Sequence, residues 1–224
     1  MDGIENNVKK LLEEIAGGNP FGEKVTLVAA VKFQTVQDIN RAVSAGLNDI
    51  GDNHVQEFKE KYASITGNPR RHFIGHLQTN KVKYLIGKTD LYHSVDRFAL
   101  AEEISKRSEN AGIASDVLLQ VNIGDEQSKG GFSYEEALKA YKVLLNMPSL
   151  NPKGLMAMLP FTDDTALLKK LAAKMRALFE KVKDTDGGAQ FLSMGMSGDF
   201  RLCIDAGSNM LRLGTSIFGA RNYN

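Results

Sequence analysis

Short runs of apolar and β-branched residues alternate along this chain with longer stretches whose apolar positions recur every three or four residues. Ile4, Val8, Leu11, Leu12 and Ile15 share one helical face, which Gly17-Gly18 and Pro20 bring to a stop. The next run, Val25-Thr26-Leu27-Val28-Ala29-Ala30-Val31-Lys32, is uncharged until its last residue and rich in valine. Too short for an ordinary helix, it predicts a parallel strand buried on both faces. Residues 35–45 then place Val36, Ile39, Ala42 and Val43 on one helical face, ended by Gly46.

The alternation continues to the end of the chain. Strands are predicted over 47–51, 72–75, 91–95, 116–123, 154–158, 190–194 and 210–214. Helices are predicted over 53–65, about 77–86, from a cap at Asp96 to 111, and from a cap at Ser133 to 145. The longest helix steps through Leu167, Leu171, Met175, Leu178 and Val182. A further helix runs from a cap at Ser197 to about 206, and a short segment, 217–221, follows the last strand. Strand and helix thus alternate eight times, with no insert long enough for a second unit. The pattern predicts an α/β fold, a single (β/α)8 TIM-type barrel over residues 1–224 with an extra N-terminal helix. No internal repeat or low-complexity tract interrupts it.

Composition narrows the function classes. Lys and Arg number 28 against 27 Asp and Glu, a balance that points to neither nucleic acid nor an anionic membrane. One cysteine, Cys203, excludes an intramolecular disulfide and fits a reducing compartment. No stretch is long enough to span a bilayer, and Met1-Asp2-Gly3-Ile4-Glu5 lacks the features of a signal peptide. The expectation is a cytoplasmic protein.

In a (β/α)8 barrel the chemistry sits at the carboxyl ends of the strands. Here those ends offer Lys32, Asn53, His76, Ser94, Asn122, Ser193 to Ser197, and Gly214-Thr215. The set is rich in amides, hydroxyls and glycines and poor in metal ligands. Lys32 has two readings: a lysine that has left its strand for water, or a partly desolvated amine suited to Schiff-base chemistry. Barrel phosphate sites often follow strands seven and eight, where Met194-Gly195-Met196-Ser197-Gly198-Asp199 and Arg212-Leu213-Gly214-Thr215 stand. Each turn reads either as a helix start or as part of an anion cradle. His72 and His76 lie about 13 Å apart if both are on a strand, so they cannot share an ion. Cys203 reads as packing, and Met156, Met158, Met194 and Met196 as filling for the barrel top.

These residues, taken as motifs, resemble a known family. The motifs are residues 28–32 (VAAVK), 51–57 (GDNHVQE), 72–81 (HFIGHLQTNK), 94–97 (SVDR), 129–132 (KGGF), 192–200 (LSMGMSGDF) and 212–219 (RLGTSIFG). They are similar to the pyridoxal phosphate homeostasis proteins, which are related to the N-terminal barrel of alanine racemase, and the resemblance runs over about residues 25–223. It implies a cofactor, pyridoxal 5'-phosphate, held as an internal aldimine (a Schiff base) on Lys32. Arg212 would face the pyridine nitrogen, Ser197, Gly214 and Thr215 would hold the phosphate, and Asn53 would lie beside the ring. Arg71, Phe33-Gln34, Asp52 and His54 depart from the usual family residues at their positions and bear on the entrance and on partner contacts.

The resemblance implies a non-catalytic carrier, a monomer that buffers pyridoxal phosphate and delivers it to apo forms of the enzymes that use it. A minimal amino-acid racemase is the alternative. Such an enzyme needs two acid/base groups on opposite faces of the cofactor; in alanine racemase one is a tyrosine from a C-terminal β domain, which these 224 residues do not contain. A Schiff-base aldolase acting on a phosphorylated sugar would also account for Lys32 and the anion cradle.

Overall fold

The computed structural model describes residues 3–126 and 129–220. The first two residues, part of the glycine-rich loop after the fifth strand, and the last four residues, including Arg221 of the closing segment, lie outside it. The described residues form eight parallel strands. They are β1 (Thr26–Ala30), β2 (Asp49–Asp52), β3 (Arg70–Phe73), β4 (Leu91–Val95), β5 (Ser115–Val121), β6 (Leu150–Ala157), β7 (Phe191–Ser193) and β8 (Met210–Leu213). They pair in chain order, and β8 pairs back on β1, closing the barrel. Helix α1 (Ile4–Ile15) precedes the barrel, and α2 (Val36–Ser44) and α3 (Val55–Lys61) follow β1 and β2. The later helices are α4 (Phe98–Asn110), α5 (Tyr134–Leu145), α6 (Thr165–Thr185), α7 (Phe200–Asp205) and α8 (Thr215–Phe218). Among the described residues no helix is long and apolar enough to cross a membrane.

Successive strand residues point to opposite faces, and here the two faces differ in chemistry. Outward residues such as Phe73, Val117, Leu119, Leu155 and Leu192 join helix residues Ile104, Tyr141 and Phe179 in one core, while Leu27, Ala29, Leu211 and Leu213 pack with α1 and α2 in another. Inward residues Val28, Leu91, Leu118, Met156 and Met210 fill the barrel itself, joined by Ile74 just after β3.

Several boundaries differ from the sequence expectation, each for a local reason. The helix expected over 77–86 is a 3-10 segment, Thr79–Tyr84. Bonds from Lys81 N to Gln78 O and from Leu85 N to Val82 O tighten it, and the three-residue period buries Val82 and Leu85 together. Strand β6 begins four residues before the expected start at Gly154 and includes Pro152; a register shift opposite Val117 and Leu119 accommodates it. Asp96 does not cap α4: its carboxylate takes Arg97 and His76, and the N-cap is Arg97 without a side-chain bond. Ser197 does not cap α7, whose N-cap is Asp199; its hydroxyl accepts instead from Ser216 N at 3.2 Å. Ser133 does cap α5, in a capping box with Glu136. Met156 and Met158 line the barrel interior, whereas Met194 packs outward and Met196 is exposed.

At the amino end of the barrel Glu23 clamps the entry to β1 onto α6. It accepts from Arg176 at 2.7 Å, Lys183 at 3.2 Å and Asn19 at 2.9 Å. Burial opposes its charge, but these bonds outweigh it and hold the carboxyl down at about 2. The folded pKa lies below the unfolded one, so the stabilisation is present above the ordinary glutamate pKa and is lost as pH falls toward 2. Glu23→Gln should therefore lower stability at pH 7 and flatten its dependence on pH between about 4.3 and 2. Urea midpoints across that range check both effects; parallel profiles for the two proteins would contradict them.

Candidate functional site

The strand register at the carboxyl end of the barrel decides which residues can meet. Ala30 pairs with Gly51 on β2, and Ala29 pairs with Leu213 on β8. Lys32 lies two residues past Ala30 and Asn53 two past Gly51, so they stand side by side. Gly214, one past Leu213, abuts β1 from the other side; a Cβ there would be 3.6 Å from Ala30 O. Lys32 shares the inward parity of Val28 and Ala30 and is half-buried. Among the described residues its amine makes no hydrogen bond or ion pair.

The backbone around Lys32 is held from two sides. Val31 N donates to Gly51 O at 3.0 Å, extending the β1–β2 ladder past the strand end. Gln34 N then closes on Val31 O at 3.1 Å in a turn whose third residue, Phe33, has φ +63. Glycine usually occupies such a position. Glu57 accepts from Phe33 N at 2.9 Å, and the Phe33 ring lies 5.7 Å from that of His54. Burial works against the Glu57 charge, yet Lys61 and the Phe33 amide bring its carboxyl below the usual range.

Asn53 is fixed by its neighbour strand. Gly75 passes so close that a Cβ on it would lie 2.0 Å from Asn53 O, and the Ser94 hydroxyl holds Gly75 O from behind. The Asn53 side-chain oxygen is buried and has no hydrogen-bond partner. A buried amide oxygen left so costs about 1–3 kcal/mol. Beside Asn53 opens a cleft of about 540 Å³ lined by His54, Lys59, His76, Lys81 and Tyr84.

The turns after β7 and β8 are tied together. Ser197 is half-buried and accepts from Ser216 N, Gly214 is the N-cap of α8, and Thr215 opens that helix with its side chain exposed. Gly195 has φ +109, and Arg212 N donates to its carbonyl at 3.0 Å. Arg212 itself lies inside the barrel, at the level of Val28, and is buried. Its Nη1 donates to Ser193 Oγ at 2.6 Å and its Nη2 to Ala157 O at 2.9 Å. Burial pushes its guanidinium down to about 10, which leaves it a cation at neutral pH. Four further interior residues meet below it: Ser193, His93, His72 and Asp49. Inward parity is the signal that could have collected them, since Ser193, His93 and His72 stand two residues from the inward Phe191, Leu91 and Ile74, and Asp49 pairs with the inward Val28.

Two residues expected at the entrance, Arg71 and Asp52, contact each other. Arg71 Nη2 lies 3.1 Å from Asp52 Oδ2, both buried, with the guanidinium 5.1 Å from the Phe58 ring centre and 5.0 Å from that of Tyr62. Burial raises the Asp52 carboxyl while Arg71 opposes the rise. His76 is exposed and pairs with Asp96 at 3.1 Å, far from the interior position of His72.

Residues 1–222 match the family model described as "Alanine racemase, N-terminal domain", the class that this barrel and its carboxyl-end site define. The chain is 40% identical over 229 residues to a pyridoxal phosphate homeostasis protein of Pasteurella multocida, covering 98% of each. It is 33% identical over 234 residues to one from Escherichia coli K12, covering 100% of this chain and 99% of that protein. The chain belongs to the family of pyridoxal phosphate homeostasis proteins. Among solved structures, PipY of Synechococcus elongatus, described with pyridoxal phosphate bound, superposes with a TM-score of 0.84 at 28% identity, covering 96% of this chain and 100% of that one. An alanine racemase of Clostridium difficile shares the fold, with a TM-score of 0.81 at 16% identity, and this chain spans 58% of it.

The close approach at Gly75 gives a direct test of the site's construction. Gly75→Ala should push the Asn53 backbone away and cost about 1–3 kcal/mol, the usual range for overpacking. A urea midpoint equal to that of the wild type would show that the β2–α3 connection yields freely.

Proposed function

We propose that this protein binds pyridoxal 5'-phosphate at the carboxyl end of the barrel and acts as a non-catalytic carrier in the homeostasis of that cofactor. The observation that carries the reading is the convergence, fixed by strand register, of an unpaired half-buried lysine with an unsatisfied buried amide and the tied β7 and β8 turns. The residues present fit the group. Asn53 Oδ1 lacks a partner, Lys32 offers a free amine, and Ser197, Gly214 and Thr215 supply small and hydroxyl groups for a phosphate. The family membership and the PipY structure described with pyridoxal phosphate bound support the same ligand.

When bound, the cofactor supplies an aldehyde that condenses with an amine and releases water, and Lys32 is the amine in this reading. Arg212, held by Ser193 and Ala157, would present a fixed cation to the pyridine nitrogen. A cation there disfavours protonation of the ring and weakens it as a sink for electrons. Lys32 would therefore serve to retain the ligand, and the Ser197 and Thr215 hydroxyls would donate hydrogen bonds to its phosphate. Because such a bond would be reversible, Lys32 would hold the ligand without committing it, which suits a carrier that passes it to apo enzymes.

Borohydride reduction of protein mixed with pyridoxal 5'-phosphate, followed by peptide mass spectrometry, should find the adduct on Lys32. An adduct on another lysine with Lys32 unmodified would end the assignment. Ser197→Ala and Thr215→Ala should each weaken binding roughly ten- to a hundredfold, the value of a hydrogen bond to a charged group. Unchanged affinity in both would put the phosphate elsewhere. Racemisation of D- or L-alanine by the loaded wild type, at rates typical of enzymes (about 1–10³ per second), would replace the carrier with a racemase.

A further inference from the structure

Inside the barrel five side chains form a single file. Arg212 Nη1 meets Ser193 Oγ at 2.6 Å, and Ser193 Oγ meets His93 Nδ1 at 3.0 Å. His93 Nε2 meets His72 Nδ1 at 2.9 Å, and His72 Nε2 meets Asp49 Oδ1 at 2.9 Å. All five residues are buried, and His93 and Ser193 are wholly so. The file crosses the interior from β8 through β7, β4 and β3 to β2, where Arg70 meets Asp49 from the half-exposed amino end of the barrel at 2.7 Å.

The chemistry of the two ends sets the direction of every hydrogen between them. A guanidinium only donates, and a carboxylate only accepts. With both imidazoles neutral, each intermediate group must accept from the Arg212 side and donate toward Asp49. Ser193 then accepts from Arg212 and gives its hydroxyl hydrogen to His93 Nδ1. His93 donates from Nε2 to His72 Nδ1, and His72 donates from Nε2 to Asp49. Burial, with the Arg212 cation nearby, holds the His93 imidazole well below its ordinary pKa and so favours its neutral form. Reversing the middle of the file requires an added proton on His72 and strands the Ser193 hydroxyl hydrogen.

We propose that Asp49, His72, His93 and Ser193 are positioning residues that hold the Arg212 guanidinium through a one-way hydrogen-bond file and leave its remaining donors for the ligand ring. The ligand half of this statement rests on the functional reading above; the file itself does not. Ala157 O fixes the second guanidinium nitrogen, so the file and this carbonyl together define the plane of the group. None of the four positioning residues is among the groups assigned to the phosphate or the aldehyde.

The direction of the file is read in the wild-type protein without ligand. Long-range proton–nitrogen correlation on uniformly labelled protein should show both His72 and His93 neutral with the proton on Nε2. His93 protonated on Nδ1, or His72 carrying two protons, would overturn the one-way file. The positioning role is read in Ser193→Ala, which should bind pyridoxal 5'-phosphate about tenfold more weakly, as when a residue that orients a binding group is lost. The nitrogen resonance of the bound pyridine ring should move as well, and Ser193→Thr, which keeps the hydroxyl, should restore both. Unchanged affinity and ring resonance in a folded Ser193→Ala would overturn the positioning role. Wild-type protein that fails to bind pyridoxal 5'-phosphate would defeat the functional reading and the ligand half together, while the tautomers would still decide the file.

Discussion

A guanidinium buried inside a parallel barrel is the constraint on which the rest of this structure depends. Removing a cation from water costs several kcal/mol unless acceptors replace the lost hydration. The rest of the interior offers Val28, Leu118, Met156 and Met210, apolar side chains that cannot accept a hydrogen bond from the guanidinium. Arg212 therefore needs acceptors that belong to the strands themselves, and it has two, Ala157 O and Ser193 Oγ. Satisfying Ser193 in turn calls for His93, then His72, then Asp49, until the file reaches Arg70 near the surface. A buried polar group left unpaired is costly, and a satisfied network removes that cost. The network occupies the centre of the barrel, which leaves chemistry with small ligands to the carboxyl-end rim above it.

At that rim the same parallel register that closes the sheet brings Lys32, Asn53 and Gly214 together. In the proposed reading the rim captures rather than converts. A free amine retains an aldehyde, small residues accept a phosphate, and a fixed cation beneath the ring withholds the electron sink that proton abstraction requires. The turn that exposes Phe33 at positive φ, braced by Glu57, sets the shape of the entrance on the β1 side. The buried Arg71–Asp52 pair lies on the outer face of β2 and β3, against Phe58 and Tyr62.

Much of the fold was legible because each strand announces itself as a short apolar run and each long helix as a repeating face. The alternation alone implied a closed eight-stranded barrel, and Ser133 with Glu136 marked the start of α5. The misses share one cause: local signals gave way to tertiary contacts. Asp96 and Ser197 have the chemistry of helix caps, yet His76 and Arg97 take the first and the amide of Ser216 engages the second. The strand expected from Gly154 starts instead at Leu150, and a register shift absorbs Pro152. Reading the ends of the strands collected the rim residues. The interior file escaped notice because Asp49, His72, His93 and Ser193 are far apart in sequence, and a search for metal-ligand spacing does not detect a hydrogen-bonded row.

The central claim is that a ligand with an aldehyde and a phosphate lies on the rim with its ring toward Arg212. A crystal structure of the protein grown with pyridoxal 5'-phosphate tests it most directly. The account predicts density continuous with Lys32 Nζ, the phosphate between Ser197 and Thr215, and the ring nitrogen within hydrogen-bond reach of Arg212. A ligand bound instead in the cleft beside Lys59 and Lys81, with Lys32 free, would contradict it.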